Sequence, residues 1–84
     1  MICYRYKVEL DTNRIIEEEF DYELEKFKSL GVEGKSCFAR YNEWPNRYFY
    51  AEGISRKMCV DMIREKAEKL QRDGAKALNL LGPK

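Results

Sequence analysis

The sequence predicts an α+β domain in which two helices cover one side of a four-stranded antiparallel sheet. Residues 2–10 alternate apolar and polar side chains with the two-residue period of a half-buried strand. Residues 36–53 contain two aromatic segments separated by a polar loop, which is the pattern of a β-hairpin. Two further segments repeat apolar residues at the three- and four-residue spacing of an amphipathic helix.

Length and composition predict one folded domain that spans residues 1–84. A chain of 84 residues can bury one modest core but not two. Hydrophobic residues make up 44% of the chain, aromatic residues make up 13%, and there are 2 prolines. This composition is typical of globular rather than disordered proteins, so we expect the chain to fold as one unit.

The first predicted strand, over residues 2–10, carries its apolar side chains at the even positions, from Ile2 to Leu10. Arg5 and Lys7 occupy odd positions and therefore lie on the opposite face of the strand. Because the apolar side must face the core, we expect Arg5 and Lys7 on the uncovered face of the sheet.

Residues 11–30 fit two interpretations. In the preferred one they form an amphipathic helix that Gly31 can end, because five apolar residues recur at helical spacing. These residues are Ile16, Phe20, Leu24, Phe27 and Leu30. In the alternative, residues 11–13 form a hairpin turn, residues 14–20 form a second strand, and a shorter helix starts near Asp21. The three consecutive glutamates favour the helix, whereas the turn residues favour the hairpin.

The predicted hairpin over residues 36–53 pairs Arg40 with Tyr48 across a five-residue loop. This pairing places Phe38, Arg40, Tyr48 and Tyr50 on one face. In one interpretation that face is the uncovered side of the sheet, because the small residues on the other face suit packing under helices. In the other, the register is reversed and the three aromatic side chains belong to the core.

The C-terminal part of the chain is predicted to form a helix and a short last strand. Ser55 can cap the helix, its apolar stripe runs from Cys59 to Leu70, and Asp73 with Gly74 can end it. Residues 75–81 form a short apolar run after that glycine and are interpreted as a strand, with a helical turn as the alternative.

The resulting element order, βαββαβ, resembles that of ferredoxin-like domains. The resemblance implies that both helices cover one face of the sheet and that the other face is free to meet a ligand. If residues 2–20 form a hairpin instead, the order becomes ββαββα.

Charge is distributed unevenly along the chain. Residues 9–33 carry a net charge of −6 and the rest carries +7, which leaves +1 overall. Opposed charged surfaces commonly serve binding. On the predicted first helix, four carboxylates lie outside the apolar arc, namely those of Glu17, Glu18, Asp21 and Glu25. Together with Trp44 at the hairpin tip, they are the expected contacts with a protein partner, although each also fits an ordinary solvated surface. The sequence thus predicts a small protein-binding regulator or inhibitor.

Binding of single-stranded RNA or DNA is the alternative hypothesis. Aromatic rings interleaved with cations on an open sheet can stack bases and hold phosphates. The residues predicted for this role are Arg5, Lys7, Phe38, Arg40, Tyr48, Tyr50 and, in the first turn of the second helix, Arg56 and Lys57. The near-zero net charge and the lack of the glycines of an RNA-recognition strand favour the protein-binding hypothesis.

The residue inventory argues against catalysis and metal binding. The chain has no histidine, its three cysteines (Cys3, Cys37 and Cys59) are far apart, and no nucleophile or phosphate-loop motif is present. We therefore expect no enzyme activity, no cofactor and no metal. The odd cysteine count and the lack of a secretory leader or transmembrane run predict buried thiols in a cytoplasmic protein. A second copy, paired along a sheet edge, is a further expected partner.

Overall fold

A computed structural model describes residues 2–21 and 37–83, and these residues form four strands and two helices. The elements, in chain order, are β1 (Ile2–Glu9), β2 (Arg14–Asp21), β3 (Phe38–Asn42), β4 (Tyr48–Gly53), α1 (Arg56–Ala67) and α2 (Arg72–Leu81). The strands form one antiparallel sheet in the order β2-β1-β4-β3. The predicted class, an α+β domain with two helices packed on a four-stranded antiparallel sheet, is confirmed.

Residues 14–21 form a strand, so the helix predicted to begin in this segment is wrong here. Residues 11–13 make the turn that the hairpin interpretation requires, and Asn13 adopts the left-handed conformation with φ 56°, which asparagine tolerates better than most residues. The alternative with a hairpin at residues 2–20 is therefore confirmed for this segment. Leu24, Phe27 and Leu30, the rest of the predicted apolar stripe, lie outside the described residues.

The last element is also corrected, because residues 72–81 form a helix rather than a strand. Gly74 does not end α1 but lies in the first turn of α2, where it is buried. A Cβ atom at Gly74 would lie 1.8 Å from the backbone oxygen of Ala67, so the glycine permits close contact between the two helices. With β2 and α2 assigned, the order of the described elements departs from βαββαβ at both places.

The core lies between the sheet and the two helices. β1 contributes the even residues that the alternation predicts, and β4, α1 and α2 contribute small or apolar side chains. The buried cluster consists of Tyr6, Val8, Leu10, Phe49, Ala51, Cys59, Ile63, Ala67 and Ala77. Ser55 caps α1 as predicted, since its hydroxyl accepts a hydrogen bond of 3.2 Å from the backbone N–H of Met58. In the described residues, no helix has the length and apolarity needed to cross a membrane.

Arg47, in the β3–β4 loop, links this loop to the β1–β2 turn and to α2 at one end of the sheet. Its guanidinium lies 3.0 Å from the Asp11 carboxylate in the β1–β2 turn and 2.9 Å from the Asp73 carboxylate in α2. Tyr41 donates a hydrogen bond to the same Asp73, and this contact raises the pKa of Tyr41 to about 12. The network fixes the β3–β4 hairpin relative to both α2 and the first hairpin.

The two faces of the sheet should differ in their tolerance to truncation. Phe49→Ala removes a ring that is 0% exposed beneath the helices and should lower the free energy of unfolding by about 3–5 kcal/mol. Phe38→Ala, on the opposite face, removes the same atoms from a half-buried site and should cost clearly less. Urea unfolding of both variants checks this expectation, and equal losses would contradict the assignment of the two faces.

Candidate functional site

The aromatic residues of the β3–β4 hairpin lie on the face of the sheet that points away from the helices. Arg40 pairs with Tyr50, and Phe38 pairs with Glu52, so the register differs by two residues from the predicted pairing of Arg40 with Tyr48. A shift of two residues leaves every side chain on its predicted face. The interpretation in which Phe38, Tyr48 and Tyr50 form the helix-covered core is therefore wrong.

Arg5 and Lys7 share this face, opposite α1 and α2, with the aromatic side chains, as predicted. Lys7 Nζ lies 4.5 Å from the centre of the Tyr48 ring, a cation–π contact, and Lys7 is also opposite Tyr50 in the β1–β4 pairing. Arg40 Cζ lies 5.3 Å from the centre of the Tyr50 ring. Cations and rings therefore alternate across β1, β4 and β3, and we call this set (Arg5, Lys7, Phe38, Arg40, Tyr48 and Tyr50) the aromatic-basic face.

Carboxylates neutralise much of the positive charge on the aromatic-basic face. Glu18 lies 3.4 Å from Arg5, and Glu9 lies 3.4 Å from Lys7. The Tyr50 hydroxyl donates a hydrogen bond of 2.5 Å to Glu52, and burial together with this contact raises the pKa of Tyr50. The face is thus close to neutral, which is weaker electrostatic support for phosphate binding than the sequence implies.

The predicted acidic cluster does not form a single surface, because its residues lie on a strand. Successive side chains of β2 point to opposite faces, so Glu17 and Asp21 lie on the helix side of the sheet and Glu18 lies on the other side. This arrangement corrects the prediction that they share one face of a helix. Glu25 lies outside the described residues. Glu19, which the sequence analysis did not select, lies between Glu17 and Asp21 on the helix side.

Glu17 is held by two partners within the chain. Tyr4 donates a hydrogen bond to its carboxylate, and Arg56 Nε lies 2.9 Å from the same oxygen. The hydrogen bond from Tyr4 and the interaction with Arg56 hold the pKa of Glu17 below its usual value, and the pKa of Tyr4 rises to about 12. The carboxylate is therefore only partly available to a partner.

Arg56 and Lys57 do not join the aromatic-basic face. They lie in the first turn of α1, on the other side of the sheet, where Arg56 contacts Glu17 and Lys57 lies 2.8 Å from Asp61. Their predicted position in the first turn of the helix that follows Ser55 is confirmed, and their role in a nucleic-acid site stays a prediction. Each has a carboxylate partner that would compete with a phosphate.

Trp44 is exposed at the tip of the β3–β4 hairpin, with 83% of its surface open to solvent. The Asn42 amide donates hydrogen bonds to the backbone oxygens of Trp44 and Asn46, and these contacts order the loop that carries the ring. The contact between Arg47 and Asp11 places this tip at the end of the sheet where β2 begins. Trp44 is therefore far from Asp21, at the other end of β2.

The edge strand β2 exposes residues on both of its faces, a feature that the helix interpretation of residues 11–30 misses. All six residues from Arg14 to Glu19 are exposed, and they include Ile15 on the helix side and Ile16 on the opposite side, at 38% and 41% exposure. In β2 only Phe20 is buried. The turn signal at residues 11–13 could have revealed this feature, because a strand that follows the turn puts the two consecutive isoleucines on opposite faces.

The cysteines divide into two buried thiols and one exposed thiol. Cys3 and Cys59 are buried, as predicted, whereas Cys37 is exposed, which corrects the prediction for that residue. Burial raises the pKa of Cys59 to about 11. Among the described residues, no three acidic, cysteine or histidine side chains are grouped as metal ligands would be.

The contacts of Glu17 predict a pH-dependent contribution to stability. Because its folded-state pKa lies below the ordinary value of 4.5, the ionised form stabilises the fold above that pH, and this contribution is lost as the pH falls through the folded-state pKa. The gap in free energy of unfolding between the wild type and Glu17→Gln should therefore shrink from about pH 7 to about pH 3. Glu19→Gln, on the same face, is the matched control. Urea unfolding at both pH values measures this, and a constant gap for Glu17→Gln would contradict the assigned contacts.

Comparison with protein-family models, with curated proteins and with solved structures finds no match to this chain. A functional conclusion therefore depends on the geometry of the aromatic-basic face, the hairpin tip and the edge strand β2.

Proposed function

We propose that this chain is a small non-catalytic protein-binding module that acts as a regulator or inhibitor, and that β2 is its contact surface. The observation that carries this proposal is the exposure of six consecutive residues, Arg14 to Glu19, on a strand of regular geometry. Sheets normally bury at least one face, whereas the two neighbouring isoleucines of β2, one on each face, keep 38% and 41% of their surface exposed.

The backbone of β2 supports binding by strand addition. Among the described strands β2 pairs with β1 alone, so within the described residues its outer row of N–H and C=O groups has no strand partner. Such an edge is a template for another strand, in which main-chain hydrogen bonds provide affinity and side chains provide specificity.

The side chains of β2 define what a partner strand must offer. On the face of the sheet opposite α1 and α2 it must place a cation opposite Glu18 and an apolar group opposite Ile16. On the helix side it meets Ile15 and Glu19, together with the Glu17 carboxylate that Tyr4 and Arg56 already hold. Charge complementarity of this kind selects partners and sets register.

Trp44 supplies a second contact point at the end of the sheet where β2 begins. An exposed tryptophan on an ordered loop is a frequent anchor in protein interfaces. The three cysteines form no disulfide with one another, which supports action in a reducing, cytoplasmic environment.

Charge reversal on β2 tests the proposal. The tagged chain is used to capture proteins from an extract of its own cells after nuclease treatment, and the captured protein is then purified. Glu18→Lys with Glu19→Lys should abolish capture, because both carboxylates on the exposed edge become cations. Glu65→Lys with Glu68→Lys makes the same charge change at exposed positions in the last turn and C-cap of α1 and should leave capture intact.

Hydrogen exchange in the purified complex then locates the contact. If a partner adds a strand to β2, amide exchange of residues 14–19 slows on binding. Capture by the β2 variant that equals that of the wild type, or protection confined to other elements, would contradict the proposal.

Binding of single-stranded nucleic acid is a second candidate, because the aromatic-basic face places rings and cations together. Arg40 is exposed and, among the described residues, is not paired with a carboxylate. It would contact the phosphates while bases stack on Tyr48 and Tyr50, at about 1–3 kcal/mol per stacked base.

This candidate predicts that the chain retards a labelled single-stranded oligonucleotide and that the affinity falls steeply as salt rises. Arg40→Glu should weaken the binding about tenfold or more, whereas Arg72→Glu, at an exposed position on α2, should have little effect. A gel-shift titration at low salt measures both. The absence of a shift with the wild-type chain would eliminate the candidate.

A further inference from the structure

We infer that the partner of β2 is a second copy of this chain, paired antiparallel with β2 about a two-fold axis that passes between the two Ile16 residues. The inference rests on the proposed function of β2 as a protein-binding edge, and it names the partner and the register. Two four-stranded sheets would thereby join into one continuous sheet.

Symmetry restricts the pairing to a few registers. An antiparallel pair of identical strands has its two-fold axis perpendicular to the sheet, so residues that face each other lie on the same side of the joined sheet. Side chains alternate, and therefore the residue at the axis must face its own copy. Within the exposed centre of β2, the axis can pass through Ile16, Glu17 or Glu18.

The register centred on Ile16 satisfies every charge that it brings together on the face of the sheet opposite α1 and α2. Arg14 lies opposite Glu18 of the second copy, and this contact occurs twice because of the symmetry. Between the two pairs, Ile16 meets Ile16 of the second copy. On the helix side, Ile15 lies opposite the Glu17 of the second copy, whose carboxylate is turned to Tyr4 and Arg56.

The other two registers oppose like charges. With the axis at Glu17, the two Glu17 side chains face each other and Ile16 faces Glu18. With the axis at Glu18, the two Glu18 side chains face each other and Glu17 faces Glu19 twice. Like charges directly opposite each other destabilise a strand pair, so these registers are disfavoured.

The present contacts of the edge residues are consistent with the Ile16 register. Arg14 is exposed and, within the described part of the chain, has no carboxylate partner. The Glu18 side chain is 58% exposed although it contacts Arg5, so it can accept a second arginine. Ile16 is 41% exposed, and pairing would cover its side chain.

Cysteine cross-linking tests the register. In a Cys37→Ser background, which removes the exposed native thiol, single cysteines are introduced by Ile16→Cys, Glu17→Cys or Glu18→Cys. Mild oxidation should give a covalent dimer with Ile16→Cys and little with the other two, because only residue 16 faces its own copy. A covalent dimer that forms fastest with Glu17→Cys or Glu18→Cys would overturn the register.

Charge exchange tests the pairing of Arg14 with Glu18 independently of any cysteine. Arg14→Glu alone and Glu18→Arg alone should each weaken self-association about tenfold or more, since two attractive contacts become repulsive. A mixture of the two variants should restore association. In the mixed pair the introduced glutamate of one variant faces the introduced arginine of the other, and the native Glu18 faces the native Arg14. Arg72→Glu is the control for a charge reversal away from the edge.

Sedimentation equilibrium of the purified full chain measures these affinities. A wild-type chain that stays monomeric at its highest soluble concentration would overturn the inference, as would a dimer that Arg14→Glu does not weaken. A mixture that fails to restore association would overturn it as well. These outcomes test only whether the partner is a second copy. The capture experiment with Glu18→Lys and Glu19→Lys tests separately whether β2 binds another protein.

Discussion

The alternation of side chains along β1 is the constraint on which the rest of the structure depends. β1 is hydrogen bonded on both sides, to β2 and to β4, and opposed residues of an antiparallel pair lie on the same face. Once Tyr6 and Val8 enter the core, the face of every other side chain in the sheet follows. The position of the cations, of the aromatic rings and of both isoleucines of β2 is thus a consequence of one buried strand.

The helical layer rests on part of this sheet. α1 packs against β1, β3 and β4, and α2 packs against α1 and β1, so the buried cluster contains no residue of β2. β2 keeps its geometry through its ladder with β1 and through the contacts of Glu17 with Tyr4 and Arg56. Because only Phe20 of β2 is buried, the exposed residues from Arg14 to Glu19 are free to vary in sequence for recognition, which is why the binding proposals concentrate there.

Sequence reasoning succeeds where a pattern has one physical meaning. The strict alternation over residues 2–10 predicts β1 and its faces, and Ser55 predicts the cap of α1 because a free backbone N–H needs an acceptor. That Phe38 and Tyr50 share one face is also predictable, since a register error of two residues does not change it, but the sequence leaves open whether that face meets the helices. The exposure of Trp44 is harder to predict, because a tryptophan in a hairpin loop can either pack against the domain or face solvent.

The errors arise where local propensity and tertiary context disagree. The run from Glu17 to Glu19 favours a helix, but an exposed edge strand tolerates glutamates because neither face is buried. Gly74 looks like a helix end, yet it is required by the close approach of two helices, a relation that no local window contains. Helical spacing groups the acidic residues on one surface, whereas the strand places Glu17 and Asp21 on one face and Glu18 on the other.

The exposed hairpin tip also gives the molecule its own optical signal. Trp44 is the only tryptophan in the chain, and its indole ring is surrounded by water on most sides. The wavelength of tryptophan fluorescence therefore reports on this one loop at one end of the sheet. Any event that dehydrates that loop would be visible without a dye, and events confined to the far end of β2 would leave the spectrum unaltered.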